Sequence, residues 1–218
     1  MSTAPSITED EVVARLGAAR VVPVAALDDG DQADRTARAL ARGGLGCIEV
    51  TFRTGAAAEA IRRAREIDGM LVGAGTVLSA EQAGAAATAG AHFAVAPGTN
   101  PEVVAACRDL GLPFFPGVAT PSEIETARAL GCRTLKLFPA AQVGGVAFVR
   151  AVAAVYPDVR FMPTGGVDAA GAADYLALPS VLAVGGSWLV KPDLLRAGRF
   201  DEVERLARAV TTTTGASA

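Results

Sequence analysis

Apolar and polar positions along this chain fall into two alternating kinds of segment. Short β-branched and apolar runs occupy residues 21–27, 46–52, 71–77, 92–98, 113–119, 134–140, 160–166 and 181–187. They are the candidate strands. Ala/Arg/Glu-rich helical stretches lie between them, at 31–42, 56–66, 80–89, 101–110, 121–130, 146–155, 169–176 and 201–210. A further helix near residues 8–16 precedes the first strand. The residue types at the helix ends agree with this division. Asn100-Pro101 and Thr120-Pro121 each set a capping side chain before a proline at the first helical position. Gly43-Gly44, Gly90, Gly111 and Gly131 stand where helices must stop.

Strand and helix alternate as an internal repeat of roughly 20–26 residues. A leucine-rich solenoid would show an asparagine-punctuated leucine pattern, which is missing. Alternating strand and helix instead imply a parallel sheet with right-handed crossovers. Eight such units predict a closed (β/α)8 TIM barrel of the α/β class, here with an extra N-terminal helix. An open doubly wound sheet would carry a G-x-G-x-x-G turn after an early strand, and none is present. Residues 1–218 read as one barrel domain, and the small, polar tail 211–218 is expected to fray.

Composition narrows the partners. Of 218 residues, 51% are apolar and 20% charged, enough for a large core. The net charge is −3, with no Lys/Arg run, so nucleic acid and anionic membrane are not expected as partners. No stretch approaches the ~20 uninterrupted apolar residues of a membrane span. The N-terminus, Met1 to Glu11, lacks the basic-then-apolar pattern of a signal peptide. Cys47, Cys107 and Cys132 are odd in number and form no C-x-x-C pair, so they are expected as reduced thiols in a cytoplasmic protein. With His92 the single histidine and no cluster of ligand residues, no metal and no cofactor are expected. His92 opens the fourth strand, on the face away from barrel chemistry, and reads as structural. Asp28, Asp29 and Asp31 read as a charged loop and helix start, Trp188 as a packing residue, and Lys191 as a solvated loop residue.

Two charges stand on strands where a barrel has its interior. Strand residues alternate between the inside and the helix-facing side. With Ile48, Val50 and Phe52 toward the helices, Glu49 and Thr51 turn inward, and Arg53 follows at the strand end. With Leu135 and Leu137 outward, Lys136 and Phe138 turn inward. Both strands are even-numbered, and interior layers draw on alternate strands, so Glu49 and Lys136 can meet across the barrel. Burying either charge costs several kcal/mol unless it is paired. One explanation is an ion pair that merely fixes the fold. The other is chemical: a desolvated lysine is a usual way to make an amine nucleophile, and a neighbouring carboxylate can carry its protons.

Further candidates lie at the strand ends. Arg53 offers a fork of N–H donors to a substrate carboxylate. The small residues of Gly73-Ala74-Gly75-Thr76 make room beside it, and the Thr76 hydroxyl could bind the same group. Thr164-Gly165-Gly166-Val167 and Gly185-Gly186-Ser187 place glycine N–H groups after the seventh and eighth strands, where barrels commonly hold phosphate. Tight turns are the plainer explanation of either glycine pair.

Taken together these residues resemble the 2-keto-3-deoxy-6-phosphogluconate (KDPG) and 4-hydroxy-2-oxoglutarate (KHG) aldolases. The resemblance rests on Glu49-Val50-Thr51-Phe52-Arg53-Thr54, Gly73-Ala74-Gly75-Thr76-Val77, Phe114-Phe115-Pro116-Gly117-Val118 and Leu135-Lys136-Leu137-Phe138-Pro139-Ala140. It extends through Pro163-Thr164-Gly165-Gly166-Val167 and Gly185-Gly186-Ser187-Trp188-Leu189-Val190, in order from about Val21 to Val190. It implies a metal-independent class I aldolase, a carbon–carbon lyase acting on a small 2-oxo acid. Such an enzyme would split 2-dehydro-3-deoxy-6-phosphogluconate into pyruvate and glyceraldehyde 3-phosphate, and 4-hydroxy-2-oxoglutarate into pyruvate and glyoxylate. By motif, Lys136 would form the Schiff base and Glu49 would be the acid/base. Arg53 and Thr76 would hold the pyruvate carboxylate, and Pro97 and Phe138 would shape the pocket. Gly165, Gly166, Gly186 and Ser187 would bind phosphate. A homotrimer is implied as well. Some relatives carry an arginine near the end of the first strand. Here that stretch is Val24-Ala25-Ala26-Leu27, which leaves phosphate to backbone amides and Ser187. A phosphosugar isomerase or epimerase, or a non-catalytic sugar-phosphate binding barrel, are the alternatives on the same fold.

Overall fold

The structure, a computed structural model, describes residues 7–216. The start of the predicted frayed tail falls inside that range, while its last two positions and the first six residues of the polar N-terminus lie outside it.

The expected alternation is present. Parallel strands β1 (Val21–Ala25), β2 (Cys47–Thr51), β3 (Leu71–Gly75), β4 (Phe93–Val95) and β5 (Phe114–Phe115) are followed by β6 (Gly117–Val118), β7 (Thr134–Leu137), β8 (Arg160–Pro163) and β9 (Val184–Gly186). They form two arcs, ordered β5-β4-β3-β2-β1-β9 and β6-β7-β8. One seam is closed by the bridges Phe161↔Val181 and Thr164↔Gly185. At the other seam the predicted fifth strand crosses from one arc to the other. Its first half pairs with β4 and its second half with β7. Pro116 sits at the break: it has no N–H to give to a ladder, though its carbonyl still accepts from Lys136 N–H at 2.9 Å. The result is a (β/α)8 barrel whose fifth strand is counted as two.

Helices α2 (Gly30–Arg42), α3 (Ala57–Arg65), α4 (Ala80–Thr88), α5 (Pro101–Asp109), α6 (Pro121–Ala129), α7 (Gly145–Val155) and α8 (Ala172–Leu176) return the chain between strands. Asp29, Ser79, Asn100 and Thr120 cap four of them through their side chains. Gly90 and Gly131, with φ of 86° and 92°, leave their helices through the left-handed region that favours glycine. A short helix α9 (Pro192–Arg196), begun by Lys191-Pro192, was not expected.

The last helix, α10 (Phe200–Thr214), takes in residues 211–214, the first half of the tail that was expected to fray. Threonine has modest helix propensity, but here each hydroxyl bonds back to a carbonyl three or four residues earlier. Thr211 shares its one proton between Arg208 O and Gly43 O, the latter at 3.2 Å, which ties this end to the end of α2.

Two apolar clusters make the core. The larger fills the space between strands and helices and includes Ile48, Val50, Leu135 and Leu137. The smaller lies inside the ring, where Val22, Cys47, Leu71, Phe93, Phe115 and Met162 meet Val12, Leu16 and Ala19 of α1 (Glu9–Ala19). Helix α1 is begun by a capping box between Thr8 and Glu11. It closes the N-terminal mouth of the barrel with apolar side chains and leaves the polar interior residues to the other mouth. Among the described residues no helix is long and apolar enough to cross a membrane.

Candidate active site

The alternation in β2 and β7 turns out as expected, and it brings Glu49 and Lys136 together. Lys136 Nζ lies 2.9 Å from Glu49 Oε1 and 3.3 Å from Oε2, although the residues are 87 positions apart. The side chains are 6% and 2% exposed, so this charge-assisted contact is made almost wholly out of water. Lys136 is level with Gly117 on one side and Met162 on the other; Glu49 is level with Val24 and Gly73.

Glycines in β3 create the room. A Cβ on Gly75 would stand 2.3 Å from Glu49 Oε1, and one on Gly73 would stand 2.2 Å from the Phe93 ring. The small residues of this strand therefore admit one carboxylate above and one aromatic ring below. Thr76 follows Gly75 at the C-terminal end of β3 with φ of 59°, a left-handed conformation unusual for a β-branched residue.

Phe138 stands beside Lys136, and the other candidates stand at the ends of neighbouring strands. Lys136 Nζ is 6.0 Å from the centroid of the Phe138 ring. Gly165 presses on that ring: a Cβ there would be 3.1 Å from it. Pro97, half-buried just past β4, packs on Gly117, where a Cβ would come within 2.1 Å of the Pro97 carbonyl carbon. Arg53 stands at the rim beyond β2, and its Nε donates to Thr51 Oγ1 at 3.2 Å.

The glycine pairs lie where expected. Gly165 and Gly166, with φ of 94° and 74°, follow β8. Gly186 ends β9, with the Trp188 ring filling the space of the side chain it lacks, and Ser187 comes next, exposed. The backbone N–H groups of Gly166 and Ser187 make no hydrogen bond to described residues, while Gly165 N–H faces Gly185 at the bridge that closes the seam. Gly186 is different, because it is paired in the ladder with Pro23.

Other residues have the plainer roles expected of them. Asp29 caps α2 by accepting from Gln32 N–H at 2.7 Å. His92 lies at the opposite mouth. Its Nδ1 accepts from Val72 N–H at 2.9 Å and its Nε2 abuts the Arg65 guanidinium. Burial, with Arg65 and Arg15 nearby, pushes His92 down to about 4. The three cysteines are free, and burial pushes Cys47 up to about 12 and Cys107 up to about 11, which keeps both as unreactive thiols.

Two buried hydroxyls were given no role by sequence reasoning. Thr51 donates to Ala25 O at 3.1 Å while accepting from Arg53. Thr164 lies beside Gly185, whose Cβ would fall 2.3 Å from Thr164 Oγ1. The inward parity of Thr51 was legible, but its partner on β1 is set by the pairing of strands.

An amine held against a carboxylate inside the barrel, with an arginine and glycine-rich turns at the C-terminal strand ends, is suited to imine chemistry on an anionic carbonyl compound. Known proteins point the same way. The 2-dehydro-3-deoxy-phosphogluconate aldolase of Treponema pallidum is 50% identical over 190 residues, covering 87% of this chain and 90% of its own. That of Haemophilus influenzae is 44% identical over 207 residues, covering 94% and 97%. The solved KDPG aldolase of Legionella pneumophila, with pyruvate captured at low pH as a covalent carbinolamine intermediate, superposes with a TM-score of 0.87 at 36% identity. That likeness covers 91% of this chain and 97% of the Legionella one. The family model described as KDPG and KHG aldolase matches residues 12–206. The chain belongs to the KDPG and KHG aldolase family.

Proposed function

We propose that this protein is a class I aldolase that reversibly splits 2-dehydro-3-deoxy-6-phosphogluconate into pyruvate and glyceraldehyde 3-phosphate, and also 4-hydroxy-2-oxoglutarate into pyruvate and glyoxylate. The observation that carries the reading is the Lys136–Glu49 pair, 2.9 Å apart and buried inside the barrel. The names borne by its relatives supply the substrate class.

In this reading Lys136 gives a proton to Glu49, and the freed lone pair of Nζ attacks the C2 ketone to form a carbinolamine. Glu49 returns the proton to the C2 hydroxyl, which leaves as water, and a protonated imine remains. Glu49 then removes the proton of the C4 hydroxyl. The C3–C4 bond breaks, its electron pair moves through C2 to nitrogen as an enamine, and C4 departs as the aldehyde. Protonation at C3 and hydrolysis release pyruvate and restore the amine. One carboxylate within reach of Nζ can serve these transfers in turn.

Arg53 and Thr76 hold the carboxylate of the 2-oxo acid, at the ends of adjacent strands β2 and β3. Phe138 and Pro97 shape the pocket beside the imine. The N–H groups of Gly165, Gly166 and Ser187, with the Ser187 hydroxyl, receive the phosphate, and Gly186 places Ser187. The assembly proposed with this activity is a cytoplasmic homotrimer, which light scattering would weigh at three times the mass of the chain.

Pyruvate with borohydride should reduce the imine to a secondary amine on Lys136, seen by peptide mass spectrometry. Active protein without that adduct would overturn the reading. A phosphorylated substrate should lose rate in Ser187→Ala while an unphosphorylated one does not.

A further inference from the structure

We infer that Thr51 is a positioning residue that presents Arg53 to the carboxylate of the 2-oxo acid. The inference rests on the aldolase reading of the site and adds a residue to it.

A threonine hydroxyl has one proton to give and lone pairs to receive. The Thr51 proton goes to Ala25 O on β1 at 3.1 Å. The hydroxyl is thereby fixed as an acceptor on its other side, where Arg53 Nε donates to it at 3.2 Å. The chain runs from the backbone of one strand, through a side chain of the next, to the rim. Thr51 is 1% exposed, so its bond to Ala25 is made out of water and its hydroxyl is held in place for the part-buried bond from Arg53.

Arg53, by contrast, is an exposed residue in the turn beyond β2. No carboxylate among the described residues pairs with it. Left to itself, such a long side chain samples many rotamers, and a bound anion would have to order it. Anchoring Nε sets the plane of the guanidinium and leaves both terminal nitrogens for a bidentate contact. A valine at position 51 would fill the same space, and the strand would still form. It would lose the bonds to Ala25 O and to Arg53 Nε, and of these only the second reaches the site.

The test is a set of variants read by steady-state kinetics and by the pyruvate concentration that half-saturates borohydride trapping at Lys136. Thr51→Val should raise both KM and the half-saturating pyruvate about three- to tenfold, with kcat within about twofold. Thr51→Ser keeps the hydroxyl and should restore both values. In an Arg53→Met background, Thr51→Val should change neither, since the two residues act as one unit. Unchanged KM and trapping in Thr51→Val would overturn the inference while the aldolase reading stands. So would additive effects of the two substitutions, or an equal loss of kcat and melting temperature in Thr51→Val and Thr51→Ser. Absence of any adduct in the unsubstituted protein would remove the aldolase reading itself, and this inference with it.

Discussion

Replacing Gly75 with alanine should cripple the enzyme while leaving the barrel folded. The new methyl would sit 2.3 Å from Glu49 Oε1, 2.7 Å from Cγ and 2.9 Å from Cδ. Unbonded carbon and oxygen approach to roughly 3.4 Å, so the carboxylate must retreat by about 1 Å. Glu49 is 1% exposed and has no solvent to move into. A retreat of that size stretches the 2.9 Å contact with Lys136 Nζ beyond hydrogen-bond range. A misplacement of ~1 Å in catalytic geometry costs on the order of 10²-fold in rate. Loss of a hydrogen bond between charged groups costs ~1.5–3 kcal/mol of stability. For a chain of this size that lowers the melting temperature by roughly 3–12 °C. Pyruvate release, followed by coupling to NADH oxidation through lactate dehydrogenase, measures the first effect, and circular dichroism melting the second. Gly84→Ala is the control, because an added methyl in α4 meets nothing within 4 Å. It should be neutral or stabilising by up to ~1 kcal/mol. Wild-type turnover in Gly75→Ala would refute the claim that β3 is hollowed to seat Glu49.

Other outcomes follow from the same structure. Lys136→Met leaves a buried carboxylate without its partner and should cost ~3–5 kcal/mol, whereas Lys136→Met with Glu49→Leu should recover most of that loss while remaining inactive; urea melts decide this. His92, held down to about 4, binds its proton more readily in the unfolded chain, so its contribution is intact above about pH 6.5 and is lost as pH falls toward 4. After allowance for solvent at this half-buried site the loss is ~1–2 kcal/mol, and His92→Asn, which keeps an acceptor for Val72 N–H, should flatten that part of the melting-temperature profile. Deleting the chain after Val210 removes the Thr211–Gly43 bond and should destabilise the protein by ~1 kcal/mol without changing turnover.

Much of this protein was decided locally, and the sequence carries it. Strand and helix follow from period and capping, because a five-residue apolar run and a capped Ala/Arg segment each have one economical way to bury their faces. The inward parity of Glu49, Thr51 and Lys136 follows from the two-residue repeat of a strand alone. Two local signals were misjudged. Pro116 divides a strand because a missing N–H matters only once a ladder is being formed. The threonines of α10 stay helical because their hydroxyls find carbonyls, and one of them finds α2.

Pairing across the barrel belongs to the tertiary structure. Nothing near Glu49 in the chain says that Gly75 will yield space to it, nor anything near Thr51 that Ala25 will take its proton. The lean of Gly165 on Phe138 is equally silent. These contacts depend on which strands lie side by side and at what register, and closure of the ring sets both. Residue type and parity made Lys136 and Glu49 candidates. Only the closed barrel put 2.9 Å between them, by bringing together strands 87 residues apart around an interior too small to keep them separate.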